Sequence, residues 1–412
     1  MSKIFSTFML VCCTVFTVSA KLIKVGRHQM IGSIQQAINT AGAGDSVWVE
    51  EGVYREKNIV VNKCIVLIGD HFPVLDGEYK YEIISVKASN VSVKGFKLIH
   101  SGISSLEDLA GIKIYNTSHV VISGNILLDA FFGIYVQGGN NCTIENNQLK
   151  ASSQTEQRSG NGIHCWKSDS LRIISNHIQG HRDGIYFEFV THSVIWRNIS
   201  EHNIRYGLHF MFSNDDAYIS NVLSNNGAGV SVMFTHGVKM FNNYFEDNWG
   251  DGAFGLLLKE ISDSYVIGNK FTNNTSAIFM EGASRLLIER NEFRGNGWAM
   301  KIQASCIDII VRQNNFLSNT FDVGTNGSLV LNKFDHNYWD KYEGYDLNKD
   351  NAGDIPYHPV SLFSVIVEKN PTVMIMFRSL MMALMDKTER ILPSLTPENL
   401  KDDCPSMKAL KL

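Results

Sequence analysis

The chain has little proline, 7 residues in 412, and little net charge, −4. Nothing in that charge suggests nucleic-acid binding. Cysteine is sparse as well. Beyond Cys12 and Cys13 in the apolar N-terminus, Cys64, Cys142, Cys165, Cys306 and Cys404 are odd in number and scattered, without CxxC or Cys/His spacing. This argues against a disulfide scaffold or a zinc site and for core thiols. A glycine-rich phosphate-binding loop is missing, and so is the leucine spacing of a horseshoe repeat. Glycine, by contrast, is plentiful at 33 residues, asparagine is abundant, and 44% of residues are hydrophobic. This is a globular composition rich in turns.

The N-terminus reads as a secretory leader over residues 1–20: Lys3, an apolar run from Ile4 to Val18, and the small-residue site Val18-Ser19-Ala20. An N-terminal anchor helix is the alternative, but the run is short for a span.

Internal repetition organises the rest. Units open at Gly111, Gly133, Gly162, Gly184, Gly207, Gly229, Gly255, Ala277 and Ala299, about 22 residues apart in most cases. Asparagine recurs in phase at Asn125, Asn147, Asn176, Asn198, Asn221, Asn243, Asn269 and Asn291, with Asn314 one residue later. A second row runs Asn203, Asn226, Asn248, Asn274 and Asn296. Three short runs of apolar/polar alternation per unit, broken by glycine and asparagine, predict three short strands per coil. Such coils stack into a right-handed parallel β-helix, an all-β fold. Asparagine suits its turns because it tolerates left-handed backbone and can bond to its equivalent one coil on.

The predicted organisation is a leader, a cap at 21–45, the β-helix at 46–340, an acidic loop at 341–358 and a C-terminal extension at 359–412. The cap contains a short helix with Ile34, Ala37, Ile38 and Ala41 on one face. A solenoid end needs such a cover. The extension is apolar and helical, then methionine-rich over Thr372–Met385, then a polar tail, extended or partly disordered, from Pro393 to Leu412.

Alternation places the second and fourth positions of each coil-opening strand outside. One column holds His164, Tyr186 and His209; the other holds Trp166, Glu188, Met211 and Met233. Outward methionine stacked on methionine is unusual. Thioether and imidazole together favour Cu(I), making His209, Met211 and Met233 a copper candidate, with His236 as a possible helper. The plainer reading of the face is an adaptable apolar docking surface, which is compatible with the first. Asp215 and Asp216 are adjacent in a turn and off this face, so they do not make the facing carboxylate pair of a glycosidase. Asp346-Leu-Asn-Lys-Asp350-Asn-Ala-Gly-Asp354 alternates oxygen donors as in the first half of a calcium loop. Asp346, Asn348, Asp350 and Asp354 are therefore candidate Ca²⁺ ligands, against a polar turn.

Several stretches together resemble the NosD family. They are Gly184-Ile-Tyr-Phe-Glu-Phe189, Arg205-Tyr-Gly-Leu-His-Phe-Met-Phe-Ser213, Asn226-Gly-Ala-Gly-Val230, Asp247-Asn-Trp-Gly250, Gly255–Asp263, Asn337-Tyr-Trp-Asp340, Gly344–Leu347 and Pro359–Ser364. The resemblance implies a non-enzymatic periplasmic β-helix on the outer side of an ABC transporter. It implies partners too: a permease, a separate ATPase, a copper chaperone lipoprotein and nitrous oxide reductase, whose copper centre they assemble. His164, Trp166, Tyr186 and Glu188 are then expected as partner contacts on the coils, and Met376 and Leu380 as contacts to the permease. The rival expectations on the same fold are a uronate polysaccharide lyase, hydrolase or epimerase, and a surface adhesin.

Overall fold

The computed structural model describes residues 20–104, 106–152, 155–156, 159–327, 331–376, 379–381, 384–385 and 400–412. The leader thus lies outside the described residues, apart from Ala20. Each coil contributes three strands, as in Tyr206–Met211, Ala217–Ile219 and Val222–Ser224. Every strand pairs in parallel with its equivalent on the next coil, giving a 25-stranded and a 13-stranded sheet. The chain is a parallel β-helix.

Register follows from the repeat. Leu208 pairs with Val230, His209 with Ser231, and Met211 with Met233. Leu208, Phe210, Val230 and Val232 fill the interior. Phe245, Phe271, Phe293 and Phe316 stack at 4.6 to 4.9 Å, and Trp339 closes the pile. The opening glycines sit where neighbouring coils nearly touch. A Cβ on Gly207 would lie 2.8 Å from the Gly229 carbonyl oxygen.

The asparagines form hydrogen-bonded ladders inside the turn. Asn221 donates both its backbone N–H (3.0 Å) and its Nδ2 (2.9 Å) to Asn243 Oδ1, and Asn243 repeats this on Asn269. These residues are buried, and they are not the left-handed ones. Positive φ falls one residue earlier, at Asn146, Ser175, Arg197, Ser220 and Asn242. The ladder asparagine is selected for its amide, because a buried turn must satisfy its own N–H and C=O groups.

At the N-terminal end, Leu22–Val25 pairs with Ser46–Val49, and between them lies α1, Ile34–Thr40. Ser33 caps α1, and Ile34, Ala37 and Ile38 are buried under it. At the other end α2, Leu362–Lys369, lies on the outer face of the last coils. Phe363 packs on Phe321, and Glu368 holds Lys301 at 2.7 Å.

The tail departs from expectation. Residues 400–412 return to the end of the solenoid. Asp402 bridges Phe334 and Tyr357 through its backbone. Its buried carboxylate accepts from the N–H groups of His336 (3.1 Å) and Asn337 (2.9 Å), from Asn337 Nδ2 (3.0 Å) and from Trp339 Nε1 (3.0 Å). Asp402 occupies the place of the next ladder asparagine. The physical reason is that the last coil has no successor to accept its donors, and a carboxylate accepts more of them than an amide.

Candidate functional site

The coil-opening strands carry the two outward columns in the order the spacing implies. Tyr135, His164, Tyr186, His209 and Ser231 are one column, and Trp166, Glu188, Met211 and Met233 the other. The first column faces out of the sheet but is covered: His209 is 5% exposed and Tyr186 9%. Two residues that precede corner glycines, Phe132 and Tyr206, reach across it. Phe132 lies against Tyr135 and His164, and Tyr206 lies 4.8 Å from His209. The column is itself a ladder of rings, with centroids 4.5, 4.8 and 4.9 Å apart from Tyr135 to His209. Of the residues expected as partner contacts, Tyr186 therefore lies beneath this cover, whereas His164, Trp166 and Glu188 stay part-exposed.

Asp183 and Arg205 join His209, a grouping the repeat pattern does not reveal. Asp183 is fully buried and takes a bidentate bond from Arg205, 2.9 Å to Oδ1 and 2.5 Å to Oδ2. His209 Nδ1 stands 3.5 Å from Asp183 Oδ2 and 3.4 Å from Arg205 Nη2. Burial pushes the Asp183 carboxyl up, but Arg205 and His209 outweigh it and hold the group below its usual range. The bond to Asp183 raises Arg205 in turn. With Nδ1 turned to this ion pair, His209 Nε2 is left buried without a partner. A carboxylate behind one ring nitrogen is the usual way to orient an imidazole whose other nitrogen serves as a ligand.

Beside it stand the two thioethers. Met211 and Met233 are half-exposed and stacked, and the Tyr186 hydroxyl donates to Met211 Sδ at 3.7 Å. Burial lifts the Tyr186 phenol to about 12, and burial drops His164 to about 3, so both stay neutral near pH 7. Tyr186 and His164 are thus neutral groups near the methionines, and the charged neighbours in their column are Glu188 beside Met211 and Lys259 beside Met233. His236 is not among them: it faces Asp215 across the turn at 3.9 Å.

Asp215 and Asp216 are divided by the wall of the helix. Asp215 sits outside with φ 57°, while Asp216 points inward and is 0% exposed. Burial lifts Asp216 to about 8.

The acidic loop closes on itself. Asp346 accepts from the N–H groups of Lys349, Asp350 and Asn351. Asp350 accepts from Ala352 N–H and Asn348 Nδ2, and Asp354 from Leu347 N–H. These oxygens are turned onto the loop's own donors and not toward a common centre. Among the described residues, no group of three or more His, Cys, Asp or Glu surrounds one point.

In the extension, Ile375 is 92% and Leu380 78% exposed, with Met374, Met376 and Met381 beside them. Among the described residues no helix is long and apolar enough to cross a membrane.

Comparison with known proteins follows the same coils. The family described as "Periplasmic copper-binding protein (NosD)" matches residues 150–344, and one described as "Right handed beta helix region" matches 39–173. Two relatives bear the name "Probable ABC transporter binding protein NosD". The one from Stutzerimonas stutzeri is 25% identical over 81% of this chain and 80% of its own length. The one from Pseudomonas aeruginosa is 24% identical over 89% of each. Among solved structures, PfbA, a surface adhesin of Streptococcus pneumoniae, superposes with a TM-score of 0.59 at 14% identity, covering 71% of this chain and 88% of that one. The catalytic unit of a GH87 α-1,3-glucanase from Streptomyces thermodiastaticus gives 0.56 at 12%, covering 73% and 65%. These two likenesses show the fold alone. With a family match that spans the coils of Asp183, His209, Met211 and Met233, and relatives aligned over most of its length, the chain is a NosD-like protein.

Proposed function

We propose that this protein is a periplasmic accessory of an ABC transporter in the maturation of nitrous oxide reductase, and that its outer face at coils 207 and 229 receives or passes Cu(I). One observation carries the copper part: His209 Nε2 is buried and unpartnered, its ring held by Asp183, next to the stacked thioethers of Met211 and Met233. Sulfur and imidazole suit Cu(I), and half-exposed thioethers permit exchange with another carrier. The names of the relatives and the family support copper and a transporter as the setting. In this role the chain performs no covalent chemistry, and the ATPase is a separate protein. The exposed apolar residues around Ile375 and Leu380 supply the contact to the permease.

X-ray absorption at the copper edge of the anaerobically Cu(I)-loaded chain tests the assignment. Sulfur and nitrogen scatterers are expected in the first shell, with sulfur lost in Met211→Leu/Met233→Leu and nitrogen in His209→Gln. A shell that neither variant alters would remove copper from this face.

The enzyme alternative on the same fold requires carboxylates that share a cleft. Asp215 and Asp216 are on opposite sides of the wall, and Asp183 is neutralised by Arg205 and buried. Nothing in this arrangement favours it.

A further inference from the structure

Immediately after Glu188, Met211 and Met233 come Phe189, Phe212 and Phe234. All three are exposed, at 45%, 40% and 41%, and all three take left-handed backbone, with φ of 54°, 51° and 55°. Glycine fills the same turn position at Gly138 and Gly282. Left-handed backbone for a bulky residue costs on the order of 1 kcal/mol or more. Leaving a phenyl ring in water forgoes a burial worth about 2 kcal/mol. The rings do recover something by stacking on each other, 5.2 Å apart at 9° and 15°. Two such pairs contribute roughly 1–3 kcal/mol, which at most matches the backbone strain of three residues and leaves the exposure uncompensated. Three phenylalanines in a row at this position are poorly explained by stability.

Their geometry says what they can bind. Phe212 has both faces covered by its neighbours, so the ridge presents ring edges outward. Sugar rings stack on aromatic faces, and no inner face is free for one. Ring edges carry the positive end of the quadrupole and attract thioether sulfur, carbonyl oxygen and the faces of other rings. The flanks are mainly acidic. Glu188 lies on the methionine side, where Lys259 beside Met233 is paired with Glu281 at 3.3 Å; Asp169 and Asp215 stand half-exposed beyond the turn with His192 and His236, and Glu260 closes the upper end. Lys167, lying over Trp166 at 4.4 Å, marks the lower end.

We infer that the Phe189–Phe212–Phe234 ridge is a docking surface for a protein partner that presents methionine or aliphatic side chains within a basic rim. This rests on the reading of the neighbouring thioethers as a copper hand-over point, and it identifies the carrier's contact face: the ridge seats the carrier so that its metal reaches Met211 and Met233. Charge complementarity selects a basic protein, and the covered ring faces argue against a glycan.

The test uses the full mature chain with para-fluorophenylalanine at position 212, read by fluorine NMR. The probe is a short peptide of two methionines flanked by lysines. Controls are the same peptide with serine for methionine, the same with glutamate for lysine, and a soluble oligouronate. The methionine–lysine peptide is expected to shift the resonance saturably, with affinity about tenfold weaker for either altered peptide and in Phe189→Ser/Phe234→Ser. Serine already occupies left-handed turns in this chain at Ser170, Ser175 and Ser220, so that variant is expected to fold. The absence of a shift, an equal shift from all peptides, a shift from the oligouronate, or a concentration-dependent shift of the chain alone would each overturn the proposal. Cu(I) affinity, measured separately, should be unchanged in Phe189→Ser/Phe234→Ser. Peptide binding that persists while Cu(I) fails to bind at Met211 and Met233 would leave the docking surface standing and remove the copper reading.

Discussion

Asp183 is the residue whose removal should be felt most widely. It is fully buried and neutralises Arg205 while it orients His209. Asp183→Ala leaves a half-buried guanidinium uncompensated, at a cost of about 3–5 kcal/mol, readable in urea unfolding. In the fraction that folds, loss of the carboxylate behind the imidazole should weaken Cu(I) binding by about 10- to 100-fold. Arg205→Lys should lose the bidentate bond and some stability yet keep His209 oriented, separating the two effects. Asp216 gives a pH signature. Its ordinary value is near 3.8, and burial lifts it to about 8 in the fold. The folded state therefore keeps a proton that the unfolded chain has lost, so this contribution is complete below about pH 4 and drains away as pH rises toward 8. His164 and His181 act oppositely: burial drops them to about 3 and 4, and they cost stability as pH falls below 6.5. Between pH 6.5 and 8 Asp216 is the one of these three that keeps an extra proton in the fold, so wild-type stability should decline there more steeply than that of Asp216→Asn. Equal slopes would contradict the inward placement. None of this is legible in the repeat. Asp183 and Tyr206 precede corner glycines at which the alternation resets, so the pattern assigns their side chains no face. Asp215 and Asp216 look identical in sequence, yet one residue of register puts them on opposite sides of the wall.

At the scale of elements, the asparagine ladder carries its stabilisation in shared bonds. Asn243→Ala in mid-ladder leaves the Asn221 backbone N–H without an acceptor and its Nδ2 with only the Ile195 carbonyl, and an orphaned buried donor costs roughly 1–3 kcal/mol. Asp402→Ala removes the acceptor for four donors of the last coil. Hydrogen exchange at Asn337 should rise toward that of a frayed end, with protection in the first coils unchanged, because solenoid stability is transmitted between neighbours. The coils, the ladder and the N-terminal helix were legible because their signal repeats in phase or falls on one helical face. The return of residues 400–412 was not, because a single aspartate standing in for the next asparagine makes no pattern. The acidic loop shows the limit of spacing as a guide: Asp346, Asp350 and Asp354 alternate as ligands would, yet the loop's own amides take up those oxygens. Addition of a chelator should accordingly leave the unfolding midpoint unchanged, and a clear rise with Ca²⁺ would restore a cation site there.

At the scale of the molecule, two of its exposed apolar features lie well apart in the chain: the phenylalanine column with the half-exposed methionines beside it on the coils at 184 to 234, and the stretch around Ile375 and Leu380 beyond the last coil. In the proposed role the first meets a copper carrier and the second a permease. Ile375→Ser/Leu380→Ser should therefore lose co-purification with the transporter in detergent while keeping Cu(I) affinity and unfolding behaviour. Co-purification that survives the change would place the membrane contact elsewhere. The two outward columns could be read from the period alone, since alternation fixes which side chains leave the sheet. Which of them remains accessible depends on neighbours such as Tyr206 and Phe132, and on that point His209 proved buried. The most direct measurement is an anaerobic competition titration of the mature chain against a Cu(I) chelator, beside Met211→Leu/Met233→Leu, whose shape change the half-exposed site tolerates. Affinity at least about tenfold weaker in the variant, with unaltered unfolding, is the expected result. Equal affinity in the two proteins would contradict Cu(I) hand-over at this face.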